Sequence, residues 1–240
     1  MGDQEVDAVA SSPSRLRRAL SATAGCLILL SAACTATSDP PRAESTEPSA
    51  TRPSVISTTP PPAPPASTPS PDPALELRDS DGRTPLVAAT KAGDVETARR
   101  LILAGADVNA KDGLDDSAYL YAGAEGLDEI LVLTLDHGAD VRSLNRFGGT
   151  ALIPAAEKGH PTTVQLLIDA GVPLDHINYS GWTALLEAVV YGDGSAPYQD
   201  IVARLLAAGA NPDIRDAQGR TALDNARNLG QTDIVRLLGG

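Results

Sequence analysis

The side chains best suited to chemistry are few in this chain, and their spacing defines no reaction. There are three histidines, His137, His160 and His176, and two cysteines, Cys26 and Cys34. A nucleophile elbow GxSxG, a phosphate-cradling GK[ST] loop, a zinc-binding HExxH helix and a dinucleotide GxGxxG turn are all missing from the sequence. Asp79-Ser80-Asp81-Gly82 looks like a piece of a calcium loop. The start and twelfth places of such a loop, which need acidic oxygens, fall on Leu77 and Ala88. The sequence therefore predicts no catalytic residue, no metal site and no cofactor.

Composition narrows the partner. A net charge of -12 and a pI near 4.6 argue against a nucleic-acid surface, which needs clustered Lys and Arg to displace counterions. With one Phe, one Trp, one Met and five Tyr, a core must be filled by Ala, Leu, Val and Ile, which suits closely stacked helices.

The first 78 residues read as an address and a tether. Arg15, Arg17 and Arg18 precede a short apolar run centred on Leu27 to Leu30, the layout of a bacterial export signal over residues 1–33. The run is too short and polar for a comfortable membrane span, which takes ~20 apolar residues. Cys34 follows Leu30-Ser31-Ala32-Ala33, which resembles a lipoprotein lipobox, so acylation of Cys34 and a lipid anchor in the cell membrane are expected. Ser31-Ala32-Ala33 would also suit ordinary cleavage and release, or the signal could be kept as an anchor. Residues 34–78 are dominated by Pro, Ser, Thr and Ala, including the run from Pro60 to Pro73. Such a segment cannot bury enough surface to fold, and fully extended it spans on the order of 100 Å.

From Asp79 a pattern recurs. The hexads beginning at Asp79, Asp112, Asn145 and Asn178 are 33 residues apart, and the next, at Asp216, follows after 38. The five additional residues lie between Gly192 and Gln199. Each hexad ends in Thr84, Ser117, Thr150, Thr183 or Thr221, and nine residues later stands Gly93, Gly126, Gly159, Gly192 or Gly230. The hydroxyls are placed to cap a first helix, with Pro85 at a first helical position that needs no N–H. Each glycine suits a left-handed helix end, and an amphipathic second helix follows, as in Val95 to Gly105. Two short helices cannot bury their apolar faces alone, so neighbours must stack.

These periods and glycines resemble the ankyrin repeat. The implied fold is an all-α solenoid of five helix-turn-helix repeats with hairpin fingers, over about 79–111, 112–144, 145–177, 178–215 and 216–240. NRFGGTALIPAAEKGH and NYSGWTALLEAVVYGDG are similar to a bacterial ankyrin group whose characterised members bind proteins. Three departures carry expectations. The His of the usual TPLH tetrapeptide is replaced by Val87, Leu120, Ile153, Leu186 and Asp224, which removes its hydrogen bond between repeats. Asp115 stands where a finger glycine is usual, and Pro154 should weaken or bend its helix near the first turn.

The resemblance also implies a binding face made of the fingers and first helices. Its variable positions hold Arg146, Phe147, Tyr179 and Trp182 on the fingers of repeats three and four, with Tyr191 at the end of a first helix. These five are the candidate partner-binding residues, because Trp, Tyr and Arg are favoured interface anchors. Packing of Phe147, Tyr179 and Trp182 on one another across the fingers is the competing reading. Tyr191 and Tyr198 are expected to form a separate spot. His160 and His137 match structural places of the repeat, whereas loop-borne His176 is open to a partner contact. The sequence thus points to a non-enzymatic, monomeric protein-binding module tethered at the envelope. A structural or protective envelope protein without a hot spot is the alternative.

Overall fold

The computed structural model describes residues 72–240, and the expected export signal, Cys34 and most of the tether lie outside them. The described residues form helices in consecutive pairs, with no strand. The pairs are α1 (Pro85–Lys91) with α2 (Val95–Leu103), α3 (Ala118–Glu125) with α4 (Asp128–Asp136), and α5 (Leu152–Glu157) with α6 (Pro161–Asp169). They are followed by α7 (Ala184–Val190) with α8 (Ala196–Ala207), and α9 (Ala222–Asn228) with α10 (Thr232–Leu237). First helices pack on first helices and second on second, so α5 touches α3 and α7 while α6 touches α4 and α8. One continuous core results, built from Leu86, Ile102, Ile130, Leu131, Leu152, Leu167, Leu185, Ile201, Leu205 and Ile234 with alanines between them. Among the described residues none of the helices is long and apolar enough to cross a membrane.

Each finger is closed by one side chain. Oδ1 of Asp79, Asp112, Asn145, Asn178 and Asp216 accepts hydrogen bonds from the N–H groups two and four residues on. An Asp or Asn at this place makes the turn itself, because its short side chain reaches the backbone that follows. The second finger therefore forms with Asp115 in the usual glycine's place, and Asp115 takes the left-handed conformation at φ 61°.

The hydroxyl caps are present in four repeats of five. Thr84, Ser117, Thr183 and Thr221 accept from the N–H three residues on, and Asp224 completes a capping box with Thr221. Thr150 departs from the expected pattern: α5 starts late, after Ala151, and the buried Thr150 hydroxyl has no partner. The cause is Pro154. In the other repeats the carbonyl of the capping residue accepts from the N–H four residues later, a donor that proline lacks. The Ile153 N–H turns instead to the Thr150 carbonyl at 3.2 Å and is lost to the hydroxyl. Thr150→Val is therefore expected to be neutral or stabilising by up to about 1 kcal/mol, whereas Thr183→Val should cost about 1 kcal/mol. Chemical denaturation of the two variants checks this contrast.

One further expectation is corrected. The segment read as linker to Arg78 is ordered from Asp72, because Pro73–Glu76 forms a 3-10 turn whose N-cap Asp72 holds the Ala74 N–H. Leu75 packs against the core, and Glu76 accepts from the Asp107 N–H at 3.0 Å. The five additional residues of repeat four are shared between a turn and a helix. Three of them lengthen the second helix, so α8 has 12 residues where α2, α4 and α6 have nine, and two lengthen the turn before it.

Repeats that lack the TPLH histidine are tied together by other side chains. Lys111 Nζ donates to the Leu144 carbonyl at 2.7 Å, Asn109 to that of Gly138 at 3.0 Å, and Gln231 to that of Gly192 at 2.9 Å.

Candidate protein-binding groove

The fingers of repeats three and four are joined edge to edge, since the Tyr179 N–H donates to the Phe147 carbonyl at 3.0 Å. This bond sets the spacing at which the aromatic side chains stand out. Tyr179 lies over Gly148, where any Cβ would enter its ring. Phe147 carries the Arg146 guanidinium 4.6 Å from its ring centre, and Arg146 reaches Asp116 of the preceding repeat at 3.4 Å. Phe147 is 58% exposed, Tyr179 81% and Tyr191 58%.

Trp182 behaves differently. Its backbone N–H donates to Asn178 Oδ1 at 3.0 Å, and its ring is half-buried against the core. Its aromatic neighbour is Tyr191, with ring centres 5.1 Å apart and planes tilted by 52°. Phe147, Tyr179 and Trp182 thus do not stack as a set, because each rests on a different neighbour. Nor do Tyr191 and Tyr198 form a separate spot. Tyr191 joins Trp182, while Tyr198 sits in the first turn of α8 and donates to the Glu157 carbonyl at 3.0 Å. His176 is occupied as well, with Nε2 donating to the Gly148 carbonyl at 2.7 Å.

Between these groups lies a groove of about 350 Å³ whose walls include Arg146, Phe147 and Tyr191. Its floor holds a residue that sequence patterns did not single out, Glu187. This side chain is 5% exposed. Oε1 accepts from Asn178 Nδ2 at 2.9 Å, and the buried Oε2 has no partner. Burial pushes the carboxyl up to about 7, against the lowering effect of the Asn178 bond and with help from the nearby Glu157 charge. Burial also raises the Tyr191 hydroxyl, with the Glu187 and Glu157 charges adding to it. A signal for Glu187 was available in repeat five. Asn225 stands nine residues after Asp216 and bonds to it at 3.0 Å; Asn178 and Glu187 are the same pair with amide and acid exchanged.

The groove offers shape, aromatic surface and one buried acid. Among the described residues no group of three His, Cys, Asp or Glu side chains is placed to hold a metal ion.

Sequence and structure comparisons agree on what the architecture is. The family model of the ankyrin repeat matches residues 81–113, and that of ankyrin repeats in three copies matches residues 119–216. An ankyrin repeat domain from Acinetobacter baumannii AYE is 57% identical with a TM-score of 0.67, over 68% of this chain and 84% of that one. A second crystallised ankyrin repeat protein is 47% identical with a TM-score of 0.67, over 69% of this chain and 84% of that one. No curated protein matches the chain. With paired helices, Asx-closed fingers and these relatives in agreement, the chain belongs to the ankyrin repeat family.

Proposed function

We propose that this protein is a monomeric, envelope-tethered adaptor that holds a protein partner on the fingers and first helices of repeats three and four. Ankyrin repeats generally mediate protein–protein interaction, and that general role is the base of the reading. The observation that carries its specific form is the concentration of exposed Phe147, Tyr179 and Tyr191 on one face, beside Arg146 and the Trp182–Tyr191 pair. Aromatic and arginine anchors of this kind supply most of the binding energy of an interface. The net charge of -12 supports a protein over a nucleic acid as the partner. The basic flank, apolar run and Cys34 support export and lipid anchoring, and the Pro-rich segment supplies reach.

Affinity capture from native membranes, with crosslinking, tests both parts in one experiment. Trp182→Ala is expected to lose the captured protein and, because its ring packs against the core, to lower the unfolding midpoint while the helical circular dichroism is kept; Tyr179→Ala, at a residue 81% exposed, repeats the test where folding is not at stake. Cys34→Ala is expected to leave the membrane fraction. Unchanged capture by both aromatic variants removes the proposed face, and membrane retention of Cys34→Ala after signal cleavage removes the anchor.

A further inference from the structure

We propose that the groove between repeats three and four takes a basic side chain of the partner, its cation over Glu187 and Glu157 and its stem between Phe147 and Tyr191. This rests on the adaptor reading and adds the chemistry that the partner must present.

The charges of the groove decide its polarity. Of the acidic groups lining it, Asp116 is engaged by Lys91 and Arg146, and Glu125 by Lys158. Glu157 and Glu187 have no cationic partner among the described residues. Glu187 is the more telling of the two. A polar atom as buried as its Oε2 usually has a partner, and leaving it without one costs stability. Both cations of the lining, Arg146 and Lys158, are already spent on other acids. A ligand that brings its own cation satisfies the two remaining carboxylates together, whereas an acidic ligand would add to their repulsion.

The aromatic walls favour the same ligand. Long basic side chains cover apolar surface with their stems while the charged head stays with an acid, and a cation is also attracted to ring faces. Arg146 over Phe147 shows this chemistry within the chain itself.

Protonation should gate the site. The elements packed on α7 bring Glu157 from α5, Asp200 and Arg204 from α8, and Asp224 and Arg227 from α9. The finger adds Asn178 and the end of the helix adds Tyr191. Of the charged groups, Glu157 is the one whose field reaches Glu187. The cation therefore meets two charges above neutrality and mainly one below it.

The test uses the full chain in non-ionic detergent, with arginine amide and lysine amide as probes and citrulline amide as the neutral match. Trp182 is the only tryptophan and its ring centre lies 5.1 Å from that of Tyr191 in the groove wall, so its emission reports occupancy of the groove. Saturable binding of both cations is expected with a Kd of about 1 mM, and citrulline amide should bind about tenfold more weakly. Binding should tighten about tenfold from pH 6 to pH 8 as the competent fraction rises. Glu187→Gln should abolish that pH dependence, and Glu157→Gln should weaken binding at both pH values. Equal binding of arginine and citrulline amides, no binding of either cation, or an unaltered pH profile in Glu187→Gln overturns the proposal. Those results would leave the adaptor reading standing if Trp182→Ala still loses its partner.

Discussion

Lys91→Ala is expected to destabilise the fold by about 3 kcal/mol. The Lys91 ammonium lies 2.6 Å from Asp112 Oδ2 and 2.8 Å from Asp116 Oδ2 in the next repeat, and 5.1 Å from the centre of the Tyr121 ring. Burial works to lower its pKa, but the two carboxylates outweigh it and hold the ammonium above its usual range. Asp112 has a side chain only 2% exposed, so removing the cation leaves a buried charge without compensation. Asp112→Asn made with Lys91→Ala should recover more than half of the loss, because asparagine still closes the finger, as Asn145 and Asn178 do. A double-mutant cycle by urea denaturation measures this. A loss below 1 kcal/mol for Lys91→Ala, or no recovery in the double variant, would show that the cluster is an ordinary surface ion pair.

Glu187→Gln should act in the opposite direction, stabilising the protein by about 2 kcal/mol at pH 8 and by little at pH 5. The sign follows from where the proton is held. The folded carboxyl titrates at about 7 against 4.5 for an unperturbed one, so between those values the folded state binds more protons than the unfolded state. Stability therefore falls as pH rises from about 4.5 to about 7, by up to about 3 kcal/mol, and then levels off. Glutamine carries no charge to bury and keeps the acceptor for Asn178, although its amide still lacks a partner where Oε2 stood. Stability measured from pH 4.5 to pH 8.5 should give profiles that diverge across this window. Parallel profiles for the two proteins would mean that the carboxyl is better solvated than its place on the groove floor implies.

Both effects arise where one repeat meets the next, and that is also where sequence reading reached its limit. The periods of glycine, capping hydroxyl and finger acid are local, so the paired helices and their order follow from residues a few places apart. The candidate face was legible for the same reason, since Phe147, Tyr179 and Trp182 occupy fixed places in a repeat. Their neighbours were not legible. Trp182 pairs with Tyr191 only because the finger and the end of the first helix converge in space. Glu187 is buried by Asn178 and by the helix of the preceding repeat, which nothing in ALLEAVV announces. Thr150 shows a narrower failure. Its hydroxyl and Pro154 were each legible, but the cost appears only when the missing N–H is followed back to the Thr150 carbonyl.

The longer α8 has a mechanical consequence. Its first turn sends the Tyr198 hydroxyl back to the Glu157 carbonyl of repeat three, and Gln231 of repeat five reaches back to the carbonyls of Val189 and Gly192 in repeat four. Repeat four is thereby bolted to both neighbours, which raises its nearest-neighbour coupling in the one-dimensional lattice that describes solenoid unfolding.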